Sequence, residues 1–302
     1  MPRMTGDKMA DSHDAVRLMY YKRNYSTDFI AAYNQERGAN ERFFETDFSP
    51  GFNNYKLLLT HFFNWKISDN FTLTTINVLD GFQDTADFHL SHFRYTNGGR
   101  LEYFLDDWYF TVAAYLQHGE TTLGGKLENA YYIQPEIKWK VNKDINFKLG
   151  AEVLSGTDVP VKNGVSSAFD PLYGVNHRFL GFMDYFIRFP GDYNEAGLVA
   201  PYFFTDFKIH RTLNLRVDAH VFLSHSDFTY KNEIIDKYLG FENDILLVYK
   251  PNDYTTLQVG YCYMLPTKSM EIIKKANFEL SPWQDWAFIM VTFKPNILNM
   301  KL

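Results

Sequence analysis

Between Thr212 and His225 the chain alternates apolar and polar side chains without a break. Leu213, Leu215, Val217, Ala219, Val221 and Leu223 fall on one side of an extended strand, and Asn214, Arg216, Asp218, His220, Phe222 and Ser224 on the other. Tyr131–Val141 repeats the pattern, with Tyr131, Ile133, Pro135, Ile137, Trp139 and Val141 against Gln134, Glu136, Lys138 and Lys140. So does Ile145–Leu154, with Ile145, Phe147, Leu149, Ala151 and Val153 against Asn146, Lys148, Gly150 and Glu152. Helical periodicity is nearly absent. The same reading places strands near Ala15–Arg23, Thr27–Gln35, Tyr55–Ile67, Phe71–Leu79, Asp87–Tyr95, Arg100–Leu105 and Trp108–His118. Four more fall near Ala200–His210, Tyr238–Lys250, Tyr254–Leu265 and Trp283–Lys294. The total is about 14, an even number as single-chain bacterial barrels require.

Strand length separates a membrane barrel from a soluble sandwich, which alternates in the same way. These segments run to about 10 residues or more, near the 9–11 that cross a bilayer at a tilt and above the 5–6 usual in soluble sheets. Connections sort by length. Ser68-Asp69-Asn70, Asp106-Asp107, Asn142-Lys143-Asp144, His210-Arg211 and Pro251-Asn252-Asp253 are short and rich in turn formers. Glu36–Asn53, Gly119–Asn129, Gly156–Val199 and Pro266–Pro282 are long. Short turns on one rim and long loops on the other is the layout of an outer-membrane barrel. Gly98-Gly99 and Gly124-Gly125 read as turns. Pro135, lacking a donor, asks for a bulge or an edge strand.

Composition sharpens this reading. Aromatic residues reach 18% (28 Phe, 21 Tyr, 5 Trp), and a barrel uses them on its lipid face and in girdles at both interfaces. Trp65, Tyr95, Trp108, Trp139, Tyr202, Tyr249, Tyr254 and Trp286 fall near strand ends, where a girdle belongs. No apolar run approaches the 18 or more residues of a membrane helix. The single cysteine, Cys262, is read as ruling out a disulfide framework and a four-ligand zinc site, and suits an oxidising compartment. A net charge of −6 with no basic tract argues against nucleic acid as a partner. Met1–Asp14 lacks the basic start, apolar core and small-residue cleavage site of a signal peptide. The chain is therefore read as one barrel domain, 1–302, that lacks its N-terminal part; a soluble all-β protein is the other reading of the same absence.

Three runs carry a resemblance: Ala151-Glu152-Val153-Leu154-Ser155-Gly156-Thr157-Asp158; Ala168-Phe169-Asp170-Pro171-Leu172-Tyr173-Gly174-Val175-Asn176-His177-Arg178-Phe179; and Gly181-Phe182-Met183-Asp184-Tyr185-Phe186. With Gly260–Met264 and Trp286–Pro295 they resemble the alginate export family of outer-membrane barrels, in the form common in Bacteroidetes-type bacteria. The likeness is strongest over 145–295 and weak before 100. It implies an antiparallel transmembrane β-barrel of 18 strands, a bacterial outer-membrane location and passage of an acidic polysaccharide.

Polar positions opposite the apolar stripe are expected to face the lumen. The candidate pore-lining set is Lys138, Lys140, Lys148, Lys208 and Arg216 with Glu152, Asp218 and Glu242; Lys56, Arg94, Arg100, Glu102, Asp206 and Asp244 share the phase. Basic groups there pair with the carboxylates of an acidic solute, or pair across the lumen with the acids beside them. Segment 156–199 is too long for a turn and too aromatic for a disordered linker. It is expected to fold into the pore as a constriction, with Asp170, Tyr173, Asn176, His177, Arg178 and Asp184 as its polar residues; packing on the outer rim is the alternative. No catalytic residues are expected. His225-Ser226-Asp227 is contiguous, so its side chains should diverge, and no nucleophile elbow accompanies Asp170 and His177. No metal ligand set is expected either, His89 and His92 being too close along one strand, and no phosphate loop or other cofactor pattern is found. Two functions stay open: a passive channel for a polar or acidic (poly)saccharide, and a plugged, non-conducting barrel that serves as structure or as a binding surface.

Overall fold

The computed structural model describes residues 15–33, 55–83, 90–122, 124–161, 163–172, 180–187, 191–275 and 281–295. In chain order the long strands are β1 (Ala15–Tyr21), β2 (Tyr25–Tyr33), β3 (Leu57–Lys66), β4 (Phe71–Gln83), β5 (Leu90–Leu105), β6 (Trp108–Glu120), β7 (Lys126–Lys140) and β8 (Ile145–Leu154). They continue as β10 (Leu198–His210), β11 (Leu213–Ser224), β14 (Tyr238–Asn252), β15 (Thr255–Pro266) and β16 (Gln284–Phe293). Two-residue strands β9 (Val165–Ser166), β12 (Thr229–Tyr230) and β13 (Glu233–Ile234) and helix α1 (Lys268–Ile273) decorate the long connections. Each long strand pairs antiparallel with its neighbours in sequence, in the order β1-β2-β3-β4-β5-β6-β7-β8-β10-β11-β14-β15-β16; β9 adds to β7 in parallel. Among the described residues β1 and β16 have one strand neighbour each, and the antiparallel sequence leaves them running in the same direction.

The short turns close through their own side chains. The Ser68 hydroxyl accepts from the Asn70 and Phe71 amides, Asn142 Oδ1 from the Asp144 amide and Asn252 Oδ1 from the Tyr254 amide, while Asp106 takes a left-handed φ of 50°. The sheet is inside-out relative to a soluble protein. Asp80, Arg94, Gln117, Glu152, Asp218, Glu242 and Asp244 are buried, whereas Leu18, Phe29, Leu116, Leu149, Val291 and Phe293 are exposed. A barrel in lipid requires this arrangement, because hydrocarbon takes the place of the core and the polar side turns inward. The fold is an all-β, antiparallel transmembrane β-barrel wall.

Several expectations are corrected. The strands expected at Asp87–Tyr95 and Arg100–Leu105 are not separate: Leu90–Leu105 is one strand, β5, and Gly98-Gly99 lies within it, while residues 87–89 lie outside the described residues. A Cβ at Gly98 would lie 2.1 Å from the Ala114 carbonyl oxygen and one at Gly99 2.4 Å from that of Thr74. The glycines let both neighbouring strands approach, a role that sequence does not distinguish from a turn. Pro135 sits in β7 between β6 and β8 with no bulge; residues 134 and 135 drop out of the β7–β8 ladder, which resumes in unchanged register at Glu136↔Gly150. In the Pro266–Pro282 connection Thr267 caps α1 by accepting from the Met270 amide. Trp65, Trp108, Trp139, Tyr249 and Tyr254 are exposed near the short-turn rim, with the rings of Trp108 and Trp139 stacked at 5.1 Å. Tyr202 departs from the expected girdle: it is buried inside, donating to Glu136 Oε2 at 2.8 Å.

Candidate functional site

Burial along the strands defines two ends of the lumen. In β10 the inward positions are buried from Leu198 to Phe204 and exposed at Asp206 and Lys208; in β11 Asn214 is exposed and Asp218 to Ser224 are buried. β14 and β15 repeat the gradient. The filled end is the one that carries the long connections. Its filling is apolar: Phe169, Leu180, Phe186 and Tyr193 of the long segment join Leu154, Phe222, Leu239 and Met264 of the wall with Met270 and Ile273 of α1.

The segment between β8 and β10 is fastened to opposite parts of the wall. On one side Asp170 meets Arg94 Nη1 at 2.6 Å, and Arg94 also grips Asp80 at 2.7 Å. Gln117 brackets the Asp170 backbone, accepting from its amide at 2.9 Å and donating to its carbonyl at 2.7 Å. On the other side the Phe182 amide donates to Asp244 Oδ2 at 3.1 Å and the Met183 amide to Glu242 Oε1 at 2.8 Å. Gly181 makes this approach possible: at φ +86°, a Cβ there would lie 2.2 Å from the Glu242 carboxylate. Tyr185 donates to Gln284 of β16 and its carbonyl accepts from Lys274. Tyr193 ties the segment to itself, donating to the Phe169 carbonyl at 2.6 Å; burial and the Asp170 carboxylate hold its phenol well above the usual range, in the donor form.

The two stems cross where the segment leaves and rejoins the wall. A Cβ at Gly156 would lie 2.1 Å from the Ala196 carbonyl carbon, and one at Gly197, at φ +70°, 2.5 Å from the Gly156 nitrogen. The Thr157 amide donates to the Glu195 carbonyl and the Ser226 amide to that of Ala196, each at 2.8 Å. His225 closes the crossing. Its Nδ1 accepts from the Gly156 amide at 3.2 Å, which places the proton on Nε2, 2.8 Å from the Tyr131 hydroxyl. Burial first, and then the positive charge of Lys237, lower the pKa of His225.

All eight candidate pore-lining residues share the inward face, since Lys138↔Lys148, Glu152↔Ala200, Phe204↔Lys148, Phe204↔Asp218, Asp206↔Arg216, Lys208↔Asn214 and His220↔Glu242 are direct cross-strand partners, while Lys140 and Glu136 keep the phase of Lys138. They divide by depth. Glu152, Asp218 and Glu242 are buried at the filled end, Arg216 pairs with Asp218, and Lys148 lies 3.7 Å from Glu136. Lys138, Lys140 and Lys208 are exposed towards the short-turn mouth and form no ion pair among the described residues. Of the expected constriction set, Asp170 is held as described and Asp184 is exposed at φ 56°; Tyr173, Asn176, His177 and Arg178 lie outside the described residues. His225 and Ser226 do meet, with Nδ1 3.0 Å from Oγ, but Asp227 turns to Lys237 at 3.0 Å, and among the described residues no carboxylate is hydrogen-bonded to the imidazole. Sequence reading missed Asp80, Gln117, Tyr193 and Gln284. In β4 the polar phase is interrupted by inward Ile76 and Val78, which hides Asp80.

Wall, mouth and inserted segment together define an antiparallel transmembrane barrel with an occupied interior. Solved barrels share this wall. The chain superposes on Pseudomonas aeruginosa OccK11 (OpdR) with a TM-score of 0.50 at 12% identity, covering 83% of this chain and 65% of that one. For OccK5 (OpdH) of the same organism the values are 0.52, 8%, 84% and 66%. For its outer membrane protein OprD they are 0.53, 9%, 91% and 67%. The chain thus spans about two-thirds of the length of these barrels. No protein-family model matches the chain, and no curated protein does.

Proposed function

We propose that the chain is a bacterial outer-membrane channel for passive passage of a polar, acidic saccharide. The observation that carries this reading is the basic mouth. Lys138 and Lys140 on β7, Lys148 on β8 and Lys208 on β10 face inward on three adjacent strands, and three of them have no acidic partner among the described residues. Ammonium groups on an open rim raise the local concentration of anions and exchange partners as a polyanion slides. The likeness of the wall to outer-membrane barrels supports the location, and the alginate-export resemblance of 151–186 supports a uronate polymer. The inserted segment serves as the constriction, narrowing the lumen beyond the lysines.

The second reading, a plugged barrel, draws on one observation of its own: the filled end is packed with apolar side chains and paired charges. Conductance of the refolded chain in a planar bilayer separates the two. The channel reading expects anion-selective openings, blocked by polyuronate and not by a neutral oligosaccharide, with block weakened in Lys138→Gln/Lys208→Gln. A folded, heat-modifiable barrel that never conducts would sink the channel and leave the plug.

A further inference from the structure

We propose a metal site inside the barrel wall: Asp218, His220 and Asp244 bind a first-row divalent cation beneath the inserted segment. The three residues come from neighbouring strands, Asp218 and His220 from β11 and Asp244 from β14. Each offers one ligand atom, and these atoms lie within 4.8 Å of one another. His220 Nε2 is already 3.5 Å from Asp244 Oδ2. Ligands held about 2.1 Å from a common ion stand roughly 3–4 Å apart, so small side-chain rotations complete the set.

Register explains why the cluster needs a cation. Asp218 stands directly opposite Asp244, and His220 opposite Glu242. Like charges facing across a ladder repel, and Asp218 and Asp244 face one another in burial, each 1% exposed, with His220 and Glu242 buried beside them. Arg216 makes its direct ion pair with Asp218, while its charge also reaches Asp244. Asp244 and Glu242 each take one backbone amide from the inserted segment, which leaves Asp218 Oδ1, Asp244 Oδ1, Glu242 Oε2 and both ring nitrogens of His220 buried without a hydrogen bond. An imidazole with no hydrogen bond on either nitrogen, its Nε2 close to a carboxylate oxygen, offers the nitrogen ligand of such a set. Mixed nitrogen and carboxylate donors favour zinc, manganese or iron over calcium. Glu242, beside the set, is placed to accept from a bound water or to join it. A reading along one strand pairs only Asp218 with His220; Asp244 joins them from β14, so the full set exists only across two strands. A bound cation also fixes Asp244, the carboxylate that holds the Phe182 amide, so the ion pins the inserted segment to the wall.

The test uses the full chain refolded in detergent, stripped with EDTA and dialysed against zinc. Stoichiometric zinc in the wild type, lost in His220→Gln and Asp218→Asn variants that remain heat-modifiable, is the expected result. Cobalt added to the stripped wild type should give visible d–d absorption of a site with nitrogen and oxygen ligands, which zinc abolishes; this readout needs no variant to fold. A folded wild type that retains no zinc and gives only the spectrum of aqueous cobalt would overturn the site. So would zinc content unchanged in folded His220→Gln.

Discussion

Arg94 is where the inserted segment meets the wall most strongly, and Arg94→Met isolates that contact. The guanidinium is 1% exposed, with Asp80 at 0% and Phe82 stacked under it at 5.2 Å. Its removal leaves the Asp80 carboxylate buried without its guanidinium and releases Asp170. Breaking a buried pair from one side costs about 3–5 kcal/mol, or roughly two to three and a half powers of ten in the folded ratio. Asp170→Asn keeps the Arg94–Asp80 pair and loses one charged hydrogen bond, so it should cost about 1.5–3 kcal/mol. Converting Asp80 as well, in Arg94→Met/Asp80→Leu, removes the buried carboxylate that has lost its guanidinium and should recover much of the loss. Urea unfolding of the refolded barrel in lipid vesicles measures all three, and the expected order is Arg94→Met worst, with the double variant partly restored. A cost for Arg94→Met below about 1 kcal/mol would mean that water reaches the pair, and that the segment does not seal this end.

Other consequences are directly measurable. Leu149 points outward from the middle of β8 and is 58% exposed; Leu149→Arg should cost about 2–4 kcal/mol in a bilayer, and a neutral effect in the same urea assay would put that face towards water. Gly156→Ala forces a methyl into the stem crossing and should lose about 1–3 kcal/mol; unfolding at the wild-type urea midpoint would contradict the crossing. Folding depresses the His225 pKa below 6.5, so the unfolded chain takes up the proton first. Stability from the neutral ring is full above about pH 6.5 and falls as pH drops below it. The dependence should flatten in His225→Gln, and an equally steep profile in that variant would assign the loss to other groups.

The wall was legible because its physics is one-dimensional. Alternation, strand length and turn chemistry act within a dozen residues, and Thr212–His225 announces β11 without any neighbour. Gly98-Gly99 failed because the reason for those glycines is the approach of Ala114 and Thr74 from adjacent strands. The polar residues of the interior were found from their phase, yet their division into buried pairs and an open lysine mouth depends on where the inserted segment lies. That placement rests on Gly181, Gly156 and Gly197, whose missing side chains carry no signal in composition. Asp170 was singled out for its chemistry; its partners Arg94 and Gln117, 76 and 53 residues away, could be joined to it only in space.

The strictly sequential strand order has a kinetic consequence. Every long strand pairs with the one before it, so the wall can be assembled hairpin by hairpin, with little loop entropy lost at each step. The inserted segment behaves differently: its ties span 76 residues to Arg94 and 99 from Tyr185 to Gln284. Arg94 stands in place once β5 has paired with β4, but Gln284 does not until β16 has joined β15. The full set of ties is therefore completed only after the last strand of the wall has been added.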